Sequence, residues 1–135
     1  MRILIIEDEV TLGKTLLDTL TEEGYQNDVA ENLGYAKYYI DIRNYDLVLL
    51  EWPSAGSEKN LDIISTIKTE AHKTSVIVLS DREDKESEIK ALRSGADDFI
   101  RKPLDYDILL VRIEAKLRFG VSNIIEIEDL IINPE

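Results

Sequence analysis

An open, doubly wound α/β domain with five parallel strands is the fold class predicted by this 135-residue chain. Three observations predict it. Apolar runs too short for helices recur along the chain, the apolar residues between them switch to helical spacing, and glycines stand where two of those helical stretches stop. Repeats of strand then helix mean a parallel sheet covered on both faces by helices, joined through right-handed crossovers. Five such units are too few for an eight-stranded barrel, so the sheet stays open, with the flavodoxin-like order 2-1-3-4-5.

The elements follow in turn. Ile3 to Ile6 is an unbroken aliphatic run, as a strand buried on both faces requires. Leu12, Leu16 and Leu20 then repeat every four residues and stop at Gly24, which suits a helix C-cap. Asp28 to Ala30 is a weaker strand, followed by helical spacing at Leu33, Ala36, Tyr39 and Ile40. Leu47 to Leu50 reads as the third strand, with a helix marked by Leu61, Ile64 and Ile67. Val76 to Leu79 is the fourth strand, with a helix through Ile89 and Leu92 that ends at Gly95. Phe99 and Ile100 form the fifth, before a helix marked by Leu109, Ile113 and Leu117. After Gly120 the pattern changes: Ile124 to Glu135 holds six large aliphatics around Glu128 and Asp129 and reads as two short strands, too few for a core of their own.

Composition removes several function classes. With 28 acidic against 16 basic residues the formal charge is −12, so nucleic acid and anionic membranes, which bind through Lys and Arg, would repel the chain. Tight DNA binding by this chain and a membrane partner are therefore not expected. No cysteine is present, which excludes disulfides, thiolate zinc sites, cysteine nucleophiles and iron–sulfur clusters. Apolar runs such as Leu47 to Leu50, Val76 to Leu79 and Ile108 to Val111 fall far short of the ~18 residues a bilayer span needs. No basic or apolar leader precedes Ile3. The expected location is the cytoplasm.

In an open parallel sheet, ligands bind beyond the carboxyl ends of the strands where strand order reverses, here between the first and third strands. Glu7 and Asp8 follow the first strand, Glu51 the third, Ser80 the fourth and Lys102 the fifth. Carboxylates so gathered raise one another's pKa values unless a cation intervenes. Mg²⁺, which takes a few hard oxygen ligands plus water, is one candidate; Lys102 is a second, built-in one. A plainer reading stands beside these: Glu7, Asp8 and Glu9 favour the positive end of the first helix, and Glu51 is a solvated loop carboxylate.

The segments ILIIEDE, YDLVLLEW, TSVIVLSD and GADDFIRKP, as spaced here, resemble the receiver domain of bacterial two-component response regulators over residues 1 to about 119. The resemblance implies the CheY-like version of the fold. GADDF…KP is similar to the OmpR/PhoB subfamily, and IEDE, DIRNYDLVL and LLVRIEAKLR resemble the atypical orphan regulators CosR and HsrA. It implies a receiver domain at residues 1–119, with 120–135 as the linker and first strands of a winged-helix DNA-binding domain cut short. The implied role is regulatory, not enzymatic, with DNA contacted only through that absent domain.

In this family a strand-three aspartate takes a phosphoryl group from a histidine kinase, two acids after strand one hold Mg²⁺, and a hydroxyl and a lysine bind phosphoryl oxygens. By position Glu7 and Asp8 match the acidic pair, Ser80 the hydroxyl and Lys102 the lysine, but Glu51 stands where the aspartate should be. Its carboxylate lies one methylene further out and carries about −1 charge where a phosphate carries ~−1.5 to −2. In-line transfer needs the nucleophile placed to within about an ångström, so transfer to Glu51 is expected to be poor and a kinase partner is not expected. The implied metal set is Glu7, Asp8, Glu51 and the Pro53 carbonyl, holding Mg²⁺ weakly. The loop WPSAGSEKN is unusual, with Pro53 at that carbonyl position and Ala55 where the family's proline falls.

The implied switch pair is Ser80, drawn toward Glu51, and Phe99, which equally reads as an ordinary core aromatic. Lys102-Pro103 matches a bond that is usually cis. The family's dimer face, formed by the fourth helix, fifth strand and fifth helix, maps to Ile89, Leu92 and Leu110, with Asp98–Arg112 retained as an ion pair. Two further pairs are broken, falling on Glu88 with Ile108 and on Asp97 with Phe119. Helical spacing alone allows Ile89 and Leu92 to pack inward instead. The expected function is a phosphorylation-independent receiver that dimerises to position DNA-binding domains. Its rival is a receiver that still takes phosphate with Mg²⁺ and relays it. A flavodoxin-type cofactor binder would need a Ser/Thr- and Gly-rich phosphate loop where EDEVTLGK begins with three acids. A haloacid-type phosphatase would need a second acid two residues after Asp8, where Val10 stands.

Overall fold

The structure, a computed structural model, describes residues 1–71 and 73–118. The tail expected at 120–135 lies outside the described residues, as does Phe119. The elements are β1 (Arg2–Ile6), α1 (Val10–Glu22), β2 (Gln26–Ala30), α2 (Leu33–Ile42), β3 (Leu47–Glu51), a short 3-10 turn (Glu58–Leu61), α3 (Asp62–Glu70), β4 (Ser75–Ser80), α4 (Lys85–Arg93) and β5 (Asp98–Arg101). A fifth helix, α5, runs over 106–118. The strands form one parallel sheet in the order β2-β1-β3-β4-β5, as the sequence predicts. The chain divides into two compact units, Met1–Leu104 with the whole sheet, and a second that begins at Asp105 and contains α5.

Burial explains the strand signals. All five residues of β3 are buried, as are Ile3 to Ile6 of β1 and Val76 to Ser80 of β4; these central strands read as continuous apolar runs because helices cover both faces. On one face Leu4, Ile6, Val48, Leu50, Val76 and Val78 pack with Ile63, Ile64 and Ile67 of α3. Ile3, Ile5, Leu47, Leu49, Ile77 and Leu79 alternate to the other face and are also fully buried. β2 is an edge strand with only Ala30 buried, hence its weak pattern.

The helix ends are where the glycines put them. Gly24 has φ +89°; its N–H donates to the Thr21 carbonyl and that of Tyr25 to Leu20, which closes α1 in a Schellman motif. Gly95, φ +113°, ends α4 likewise, with Ala96 N–H donating to Ala91 and its own to Leu92. Asn32 caps α2 through Tyr35 N–H and Asp84 caps α4 through Ser87 N–H, each at 2.9 Å.

In α4 the buried positions are Ser87 and Ala91. Ile89 and Leu92 are 37% and 42% exposed, so the inward packing that helical spacing allowed for them is not what occurs. On α5, Leu109 and Ile113 are fully buried, Leu110 is half-buried and Arg112 exposed. No helix among the described residues is long and apolar enough to cross a membrane.

Candidate functional site

Parallel register carries the site residues to one rim. Ile6 pairs with Leu50, Glu51 with Leu79 and Ser80 with Arg101, so Glu7, Glu51 and Lys102 stand at the same ends of their strands. The Glu7 N–H donates to the Ala30 carbonyl at 3.0 Å, Trp52 N–H to Leu79 at 2.8 Å and Lys102 N–H to Ser80 at 2.8 Å, fixing each chain exit. The Lys102–Pro103 bond is cis, as the resemblance implies.

Glu7 is 3% exposed and Glu51 8%, so neither is a solvated carboxylate. The Lys102 ammonium lies 2.5 Å from Glu51 Oε2 and 3.6 Å from Glu7 Oε1. Glu7 Oε2 accepts the Glu9 N–H at 3.3 Å. Burial and then the neighbouring Glu51 charge push the Glu7 carboxyl up to about 7, against the pull of Lys102. Burial raises Glu51 as well, with Lys102 again opposing. Burial would lower the Lys102 ammonium, but Glu51 and Glu7 outweigh it and raise its pKa. Two buried carboxylates thus share one cation, and that cation is the built-in lysine.

The four donors implied for Mg²⁺, Glu7, Asp8, Glu51 and Pro53, all line one cleft of about 320 Å³, yet they are not disposed as a ligand set. Asp8 is exposed, and Lys102 occupies the space between Glu7 and Glu51. The Pro53 carbonyl already accepts two hydrogen bonds, from Gly56 N–H at 2.9 Å and Arg82 Nε at 3.3 Å, which uses both lone pairs. Among the described residues, no three acidic or histidine side chains stand close enough to hold a metal. The arrangement does not fit Mg²⁺.

In this structure the Ser80 hydroxyl is engaged by the main chain. It is fully buried, donates to the Trp52 carbonyl at 2.6 Å and accepts Arg82 N–H at 3.1 Å. Phe99 packs in the core, in keeping with its plainer reading, with Arg101 5.5 Å from its ring centre.

Sequence reading missed Arg82 and Asp81. The Arg82 guanidinium stacks 4.0 Å over the fully buried Trp52 ring, donates to the Pro53 and Ser54 carbonyls at 3.3 Å and to that of Gly56, and reaches Ser87 Oγ at 3.4 Å. Asp81 accepts Ser54 N–H at 2.7 Å. Most of these partners are main-chain atoms, which no residue pattern reveals.

On the face expected to pair, the two unmatched acids have partners within the chain. Glu88 meets Arg101 at 3.0 Å. Asp97 meets Lys68 at 2.6 Å and accepts Val76 N–H at 2.7 Å. Asp98 accepts Phe99 N–H at 2.9 Å.

The response regulator receiver domain model matches residues 3–114. The chain is 35% identical over 133 residues to the transcriptional activator protein IrlR of Burkholderia pseudomallei, covering 96% of this chain and 57% of that protein. It is 32% identical over 139 residues to the phosphate regulon regulatory protein PhoB of Klebsiella pneumoniae, covering 98% and 60%; the chain thus spans somewhat over half of these relatives. The crystal structure of HP1043, an orphan response regulator of H. pylori, superposes with TM-score 0.77 at 39% identity over 87% of this chain and 96% of that one. NtrX of Brucella abortus gives 0.83 at 29% identity over 96% and 29%. Receiver domains typically bind Mg²⁺ at the phosphorylation site. The chain belongs to the response regulator receiver family, with the CheY-like fold and homologues among OmpR/PhoB-type transcription regulators.

Proposed function

We propose that this receiver domain serves a transcription regulator without phosphoryl transfer, Glu51 and Lys102 holding by a permanent ion pair what a phosphorylated aspartate holds transiently. The observation that carries this reading is the buried Glu51 carboxylate 2.5 Å from the Lys102 ammonium. A nucleophile already engaged by a cation, one methylene beyond the aspartate position, is badly placed for in-line attack. Mg²⁺ is then dispensable, no kinase is required and the domain is not an enzyme. Kinship with the atypical orphan regulators CosR and HsrA belongs to this reading, and the similarity to an orphan regulator of H. pylori supports it.

In this reading two copies pair through α4, β5 and α5, using Ile89, Leu92 and Leu110 with Asp98–Arg112 as the flanking ion pair, and residues 120–135 lead into paired winged helices in the cytoplasm. The exposure of Ile89 and Leu92 supports it. The loss of the other two ion pairs need not weaken the pairing, since exposed pairs contribute only ~0–1 kcal/mol.

The test is incubation with acetyl phosphate and Mg²⁺ followed by intact-mass measurement. The mass is expected to stay unchanged. A gain of about 80 Da, one phosphoryl group, located on Glu51 would favour the relay receiver instead.

A further inference from the structure

Resting on that reading, we propose that Arg82 is a positioning residue that closes the site to divalent cations, by holding the loop after β3 with the Pro53 carbonyl committed to hydrogen bonds. This closure is separate from the change at position 51 and acts on a different ligand.

Mg²⁺ demands near-octahedral oxygen ligands at about 2.0–2.1 Å and keeps several waters, so each protein oxygen it uses must have a lone pair to offer. The Pro53 oxygen has none. Gly56 N–H takes one in a tight turn, in which a Cβ at Gly56 would stand 3.1 Å from that same oxygen. Arg82 Nε takes the other at 3.3 Å. The turn is local and would persist without Arg82; the second bond would not.

The hold on the loop is broad. Arg82 presents a rigid fork of donors, and here every nitrogen of it is used: Nε on Pro53, Nη2 on Ser54 and Gly56, Nη1 on Ser87 Oγ. Its flat face lies against the buried Trp52 ring, a cation–π contact. The Trp52 indole N–H is itself spent on the Ser57 carbonyl at 3.0 Å. Asp81 adds Ser54 N–H and, at 3.2 Å, Ser54 Oγ. Two consecutive residues beyond β4 therefore anchor residues 52, 53, 54 and 56, and none of these contacts involves Glu51 or Lys102.

A consequence follows that the carboxylate alone would not produce: restoring aspartate at position 51 does not reopen the metal site unless Arg82 also lets go. The experiment titrates Mn²⁺, followed by the loss of the free-ion EPR signal, into the 135-residue chain and its Glu51→Asp, Arg82→Ala and doubly substituted forms, each first shown folded by circular dichroism. Glu51→Asp is expected to bind Mn²⁺ about as weakly as the unmodified chain. The double variant is expected to bind about tenfold tighter than Glu51→Asp, the scale of one freed ligand bond. Equal Mn²⁺ affinity of Glu51→Asp with and without Arg82 overturns the proposal. Arg82→Lys in the Glu51→Asp background keeps the charge but not the fork and guards against a misfolded alanine variant. An intermediate gain in affinity supports positioning, and affinity as low as with arginine overturns it in favour of simple charge repulsion. Mass gain by the unmodified chain with acetyl phosphate and Mn²⁺ would instead overturn the phosphorylation-independent reading, while the comparison of Glu51→Asp with its Arg82 variants would still decide the role of Arg82.

Discussion

Lys102→Met is expected to destabilise the fold by about 3–5 kcal/mol near neutral pH, the range seen when one partner of a buried ion pair is removed. The Lys102 side chain is only 21% exposed, and those of its partners Glu51 and Glu7 are 8% and 2% exposed, so solvent cannot replace the ammonium without reopening the rim. The effect depends on pH in a determined direction. Glu7 ionises near 4.5 when unfolded and at about 7 in the fold, and Glu51 moves the same way. A carboxyl with a raised folded pKa binds more protons folded than unfolded, so its share of stability is fully present below about 4.5 and is lost as pH rises through 7. Lys102→Met should therefore be least damaging near pH 5, where Glu7 carries a proton, and most damaging above 7. Glu7→Gln should remove most of the fall in stability between those limits, its amide oxygen still accepting Glu9 N–H. Urea melts of the three proteins across that range check both. A Lys102→Met deficit that does not change with pH would mean that the buried carboxylates do not set it.

Leu92→Asp is expected to convert a dimer formed without any phosphoryl donor into a monomer. Ile89 and Leu92 stand outward on α4 because Ser87 and Ala91 supply its buried side. Exposed aliphatic surface removed from water contributes about 25 cal/mol per Å², and a two-fold interface uses each such residue twice. A carboxylate there loses that term in both copies and must also be desolvated, so the dimer dissociation constant should rise by about 100-fold or more. The chain shows a second outward apolar stripe, Tyr35, Tyr38 and Ile42 on α2, which gives a control: Tyr38→Asp should leave the dimer intact. The competing interface is the tail, Ile124 to Ile132, which would offer an unpaired edge if it forms the short strands expected from its sequence. Sedimentation separates them. A dimer that survives Leu92→Asp and is lost on ending the chain at Gly120 would place the contact in the tail.

What the sequence disclosed and what it hid follow from which atoms make each contact. β1, β3 and β4 were legible as unbroken aliphatic runs because both of their faces are covered, whereas β2, at the edge, buries only Ala30 and left a faint trace. α4 was recognised from Ile89 and Leu92, yet these are its exposed face, and its buried face is a serine and an alanine that no hydrophobic period marks. Strand ends placed Glu7, Glu51, Ser80 and Lys102 on one rim, and the parallel register brings them there. The choice between Lys102 and Mg²⁺ as neutraliser was not legible. It depends on ångström-scale reach of a side chain and on a carbonyl's hydrogen bonds. The partner of the Ser80 hydroxyl, the Trp52 main chain, was hidden for a similar reason.

Sedimentation velocity of the unmodified chain with and without acetyl phosphate and Mg²⁺ tests most directly whether output is independent of phosphoryl transfer. In the proposed reading, with the Glu51–Lys102 pair standing in permanently for phosphorylation, the fraction of dimer should be the same in both samples at every protein concentration. A chain that is monomeric alone and dimerises on adding the donor would contradict the account.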